Sequence, residues 1–100
     1  MDIDFIKQAI KEVEAGEAVL LDVRRDDEWS AGHSELATHF DSARLFNDGE
    51  LPDIDKNKKI YTYCVSGGRA GRVKMALLNH GFSKVENIGG LTHWYSAGGK

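Results

Sequence analysis

The feature that most constrains the fold is Ala18-Val19-Leu20-Leu21-Asp22-Val23, an apolar run with one carboxylate near its carboxyl end. Strands with one wet face alternate apolar and polar residues. A run without that alternation is buried on both faces, as in a parallel sheet. Parallel neighbours need crossover connections, usually helices, and the flanking sequence supplies them. Residues 4–15 put Phe5, Ile6, Ala9, Ile10 and Val13 on one helical face, with Asp4 as cap and Gly16 as terminator. Residues 26–31 form a short helix whose first turn holds Asp26, Asp27 and Glu28, favourable for the helix dipole, and Gly32 follows its end.

Thr38-His39-Phe40 is a weaker strand, and residues 41–58, with Asp48-Gly49 and the only proline, Pro52, read mostly as loop. Ile60-Tyr61-Thr62-Tyr63 is a second buried strand, ended by Cys64. Residues 69–80 form a helix with Ala70, Val73, Ala76 and Leu77 inward, His80 at its end and Gly81 in the left-handed C-cap position. A last strand runs from Lys84 to Ile88, and Gly89-Gly90 leads into a short helix carrying Trp94. The alternation predicts an α/β fold, a mostly parallel central sheet with helices on both faces. The length predicts a single domain over residues 1–100.

Hydrophobic and charged contents of 41% and 29% are globular values, and the net charge of −3 argues against nucleic acid or an anionic membrane as partner. No apolar run approaches the roughly 20 residues that span a bilayer. The opening Met1-Asp2-Ile3-Asp4 is acidic and lacks the apolar core of a secretory signal, so a cytoplasmic location is expected, with a removed leader peptide left open. The lone cysteine cannot form an internal disulfide or a Cys-x-x-Cys redox pair. His33, His39, His80 and His93 lack paired ligand spacing, so no metal site is expected.

Sites in open α/β sheets lie beyond the carboxyl ends of the strands, and Asp22 and Cys64 both fall there. After Cys64 comes Val65-Ser66-Gly67-Gly68 and then a helix opening at Arg69. Amides of Ser66 to Arg69 can curl around the sulfur, and the helix start presents positive potential to it. Both favour the thiolate, the reactive form. Arg69, Arg72 and Lys74 crowd a helix start where cations are unfavourable by some ~0.3–1 kcal/mol each; an anion at the loop would reverse that sign. The plain alternative is a core cysteine with solvated arginines.

At this point the chain resembles a single-domain rhodanese, a sulfurtransferase. Leu20-Leu21-Asp22-Val23-Arg24, Glu28-Trp29 and Gly32-His33 are similar to the family's first motif. Cys64-Val65-Ser66-Gly67-Gly68-Arg69 resembles its active-site loop, and Gly89-Gly90-Leu91, Trp94 and Ala97-Gly98 resemble its C-terminal motif. The resemblance implies a ping-pong reaction without cofactor. Cys64 takes sulfur from a donor such as thiosulfate, becomes a persulfide, and yields it to cyanide or a thiol, with a protein acceptor as an option. It implies that Arg69 holds the anionic part of the donor. It also implies that Asp22 and Arg24 support the loop, with Glu28 as an ion-pair partner. Val65 and Ser66 lack the basic side chains of many thiosulfate-using members, which implies weak activity with thiosulfate and a different physiological donor.

Two other functions compete. A sulfur-carrier or interaction module would hold the persulfide without small-molecule turnover. A phosphatase or arsenate reductase on a related fold would use the same cysteine, but with five residues between Cys and Arg, where this chain has four. Trp29, Phe82 and Trp94 are expected in the core, His33 in a structural hydrogen bond, and His93 on the surface.

Overall fold

A computed structural model describes residues 2–100. The order is α1 (Ile3–Glu14), β1 (Ala18–Asp22), α2 (Asp26–Ala31), β2 (Ala37–His39), α3 (Ser42–Phe46), β3 (Lys59–Cys64), α4 (Gly68–Asn79), β4 (Val85–Gly90) and α5 (Leu91–Ser96). The strands form one sheet in the order β2-β1-β3-β4, with every pairing parallel.

Successive residues of a strand point to opposite faces, and β1 and β3 show how that divides the core. Leu20, Tyr61 and Tyr63 face α1 and α5, packing with Ile6, Ala9, Ile10, Ile88 and Trp94. Leu21, Ile60 and Cys64 face the other way, with Leu45 of α3 and Ala70, Val73 and Leu77 of α4. Helices therefore cover both faces, as the unbroken apolar runs required.

The structure departs from the sequence reading in four places. Asp2, not Asp4, caps α1, its carboxylate accepting the Asp4 N–H at 3.0 Å. The expected loop after residue 41 contains α3, capped by Asp41. Five residues with one buried side chain, Leu45, are too short for a periodic signal. Gly89 and Gly90 lead into α5 as expected but also belong to β4: the β3–β4 pairing shifts between Thr62 and Cys64, after which Cys64 comes into register with Gly90. Trp94 and Phe82 are core residues, whereas Trp29 is half-buried and stacks on His33 (ring centroids 3.4 Å apart) and His39 (4.7 Å).

Candidate active site

Cys64 closes β3, and α4 opens four residues later at Gly68. The turn between them requires Gly67, whose φ of +104° is a left-handed conformation that side chains disfavour. Its N–H donates to Cys64 Sγ at 3.1 Å. Burial pushes the Cys64 thiol up, but the Ala70, Gly67, Ser66 and Arg69 amides pull it down and prevail, so it ionises below the ordinary thiol value. The amino end of the twelve-residue α4 adds its dipole in the same sense. Of the amides expected to curl around the sulfur, that of Gly67 makes the hydrogen bond, while those of Ser66, Arg69 and Ala70 act on the thiol's ionisation.

The loop rests on β4. A Cβ on Gly90 would lie 1.9 Å from the Val65 carbonyl oxygen, so only glycine lets the loop lie this low. Asn87 donates from Nδ2 to the Gly67 carbonyl at 2.9 Å and accepts the Gly89 N–H at 2.8 Å. His93, on the exposed side of α5, accepts the Gly90 N–H at Nδ1, 2.8 Å. From β3, the Thr62 hydroxyl donates to the Ala70 carbonyl at 3.0 Å, holding the first turn of α4. Sequence reasoning missed Asn87, Thr62 and His93 as loop supports. Only the position of Asn87, two residues before the Gly-Gly pair, hinted at one of them.

Around this frame the predicted residues sort into three groups. Val65 and Ser66 form an exposed, uncharged rim, and Gly68 opens α4. Arg69 donates two parallel hydrogen bonds to Glu28 of α2, at 2.6 and 2.9 Å. The expected ion pair with Glu28 thus exists, and its partner is Arg69. That hydrogen-bonded guanidinium outweighs burial and holds the Glu28 carboxyl at about 2, against an ordinary 4.5. Arg69, expected to hold the anionic part of a donor, thus already shares two of its N–H groups with a carboxylate. Lys74 is likewise engaged, 3.4 Å from Glu86, which leaves Arg72 exposed on α4 without an ion-pair partner among the described residues.

Asp22 and Arg24 form a separate buried cluster. Arg24 donates from Nε and Nη2 to the Asp22 carboxylate at 2.8–3.1 Å and from Nη2 to the Gly32 carbonyl at 2.7 Å. The Tyr63 hydroxyl donates to Asp22 at 2.6 Å and accepts the Ser34 N–H at 3.2 Å. Burial and the neighbouring carboxylate together raise the Tyr63 phenol, so it stays a donor. Among the described residues, neither the Asp22 nor the Arg24 side chain hydrogen-bonds to the Cys64 loop. They fix the turns on either side of α2, and α2 in turn carries Glu28 to Arg69. His33 is structural as expected, its Nδ1 2.8 Å from the Trp29 carbonyl oxygen.

The chain that builds this strand-end cysteine site on an all-parallel sheet matches the family model for the rhodanese-like domain over residues 5–97. The chain belongs to the rhodanese-like family. Among curated relatives, it is 33% identical over 89 residues to Protein HIGH ARSENIC CONTENT 1, mitochondrial, of Arabidopsis thaliana, covering 78% of this chain but only 53% of that protein. It is 32% identical over 83 residues to the thiosulfate sulfurtransferase GlpE of Coxiella burnetii, covering 82% of this chain and 76% of that one. The crystal structure of the Alr3790 protein from Anabaena superposes with a TM-score of 0.78 at 27% identity, covering all of this chain and 79% of the other.

Proposed function

We propose that this protein moves a sulfane sulfur from a donor to a thiophilic acceptor through a persulfide on Cys64. The observation that carries this reading is the lowered thiol of Cys64, held by the Gly67 N–H and the neighbouring amides at the start of α4. The thiolate attacks the donor's outer sulfur. A bond forms from Cys64 Sγ to that sulfur as the donor's S–S bond breaks, and the electron pair leaves with sulfite when the donor is thiosulfate. An acceptor, cyanide or a thiol, then attacks the outer sulfur and the pair returns to Sγ. No external oxidant or reductant is consumed. The amides that favour the thiolate also suit the persulfide anion.

Intact-mass spectrometry after brief exposure to thiosulfate tests this. One sulfur atom is gained by the wild-type chain, removed by cyanide, and absent from Cys64→Ser. A thiol that alkylates normally yet takes sulfur from neither thiosulfate nor an alkyl persulfide would refute the reading.

Oxyanion chemistry at the same cysteine is a second reading, favoured by the identity with a relative named for arsenic content. The short loop weighs against it. Four residues separate Cys64 from Arg69, and the Gly67 amide is already spent on the sulfur itself. Arsenate in place of thiosulfate is the deciding arm of the assay.

A further inference from the structure

The pairing of Arg69 with Glu28 bears on which donors the loop accepts, an inference that rests on the sulfur-transfer reading above. Arg69 follows the sulfur by five positions, and each of its terminal nitrogens donates one hydrogen bond to the same carboxylate. The pair is largely shielded, with side-chain exposures of 23% and 17%, so solvent screens it less than a surface bridge. Glu28 is itself held in place: its Oε1 accepts the Arg25 N–H at 3.0 Å at the start of α2. Arg25 lies 3.1 Å from Asp27 and 3.9 Å from Glu28. The rim residues Val65 and Ser66 carry no charge, and Arg72 sits roughly 5 Å further along α4, one turn from the loop. The first turn of α4 thus meets an approaching donor with a neutral ion pair in place of a free guanidinium.

We propose that Glu28 acts through Arg69 as a positioning residue that biases Cys64 against doubly charged sulfur donors and toward donors of low charge, such as alkyl persulfides. A dianion such as thiosulfate must compete with a carboxylate already bidentate on Arg69 and must approach the negative charge of Glu28. A protonated alkyl persulfide, R–S–SH, meets neither obstacle. Cys64 Sγ bonds to its terminal sulfur, the S–S bond breaks, the thiolate R–S⁻ leaves, and the proton passes from the new persulfide to that thiolate. Alkyl persulfide therefore needs no cation to bind or to leave.

The test compares second-order rates of Cys64 persulfide formation, followed by mass, for thiosulfate and for a small alkyl persulfide. Glu28→Gln preserves side-chain shape and removes the charge, and is expected to raise the thiosulfate-to-persulfide rate ratio about tenfold. The salt dependence of the thiosulfate rate should steepen in the same variant, because Arg69 is unmasked. Glu28→Asp retains the charge and should keep the ratio within about twofold of wild type. A purely structural role for Glu28 would slow both donors together and leave the ratio unmoved, and that result overturns the proposal. A ratio that rises equally in Glu28→Asp also overturns it, since shape would then be the cause. If Glu28→Gln does not fold, the wild type alone decides, because a rate higher for thiosulfate than for alkyl persulfide contradicts the bias. Should wild-type Cys64 accept sulfur from neither donor, the sulfur-transfer reading fails, which is a separate outcome.

Discussion

The carboxyl ends of β1 and β3 lie side by side, with Asp22 in register with Tyr63 and Cys64 one residue beyond. Both ends bury a group able to carry negative charge, and they treat it in opposite ways. Asp22 is fully enclosed, and each of its oxygens accepts hydrogen bonds: Oδ1 from the Arg24 N–H and Nε, Oδ2 from Arg24 and the Tyr63 hydroxyl. Nothing is left for a ligand, so the cluster can only hold structure. The Cys64 sulfur is met by backbone amides of a loop with an exposed, uncharged rim. Those amides serve an anion, and the Arg69 guanidinium that acts on the same sulfur is shared with Glu28. A strand end beyond a parallel sheet is a place where a site can form. Whether one does depends on how completely the buried charge is paired.

The largest expected effect falls on the paired end. Asp22→Ala leaves the Arg24 guanidinium, on a residue only 6% exposed, without its carboxylate. Removing one partner of a buried pair costs about 3–5 kcal/mol, read as a lower urea midpoint. Cys64→Ser, at the other end, should shift stability by only about 1 kcal/mol. Equal losses from the two substitutions would erase the distinction.

Next in size is Gly90→Ala, which sharpens the account of the open end. Its methyl would overlap the Val65 carbonyl, and such overpacking costs about 1–3 kcal/mol. The loop must shift to relieve it and its amides would leave the sulfur. The pH midpoint for Cys64 alkylation, below the ordinary thiol value in the wild type, should therefore rise toward it. An unchanged midpoint would show that the loop geometry does not set the ionisation.

The smallest effect tests the ion pair that joins α2 to the loop. Glu28 ionises at about 2 in the folded chain and near 4.5 when free. A depressed carboxyl stabilises the fold fully above its unfolded value, and the contribution is lost as pH falls from about 4.5 toward 2. Denaturation midpoints across that window should decline less steeply in Glu28→Gln than in the wild type. Parallel curves would mean that the bridge adds nothing to stability.

Much of the fold was legible because burial on two faces leaves a mark in local sequence. The runs at Ala18 and Ile60, and the helical spacing of Ala70, Val73 and Leu77, each follow from what a single element must hide. The α3 helix and the Gly89-Gly90 end of β4 left no such mark. The first is too short to show a period, and the second is shaped by a neighbouring strand and not by its own residues. Trp29 was misplaced for a related reason. Aromatic bulk predicts burial in general, but its ring stacks on His33 and His39 at the sheet's end, and only the turns around α2 bring those histidines to it.

The candidate site divides along the same line. By itself the sequence determined that a lone cysteine ends a buried strand, that glycines follow it, and that a helix begins there. Those facts are local, set by residue type and spacing within a few positions, and they are enough to mark Cys64 as the candidate reactive group. Only the tertiary structure decided the electrostatics. Glu28 and Arg69 are separated by 41 positions, as are Asp22 and Tyr63, and Asn87 reaches Gly67 across 20. Which carboxylate neutralises which cation depends on where the crossovers lay the helices. Charge acts through space, whereas the patterns that reveal helices and strands act along the chain.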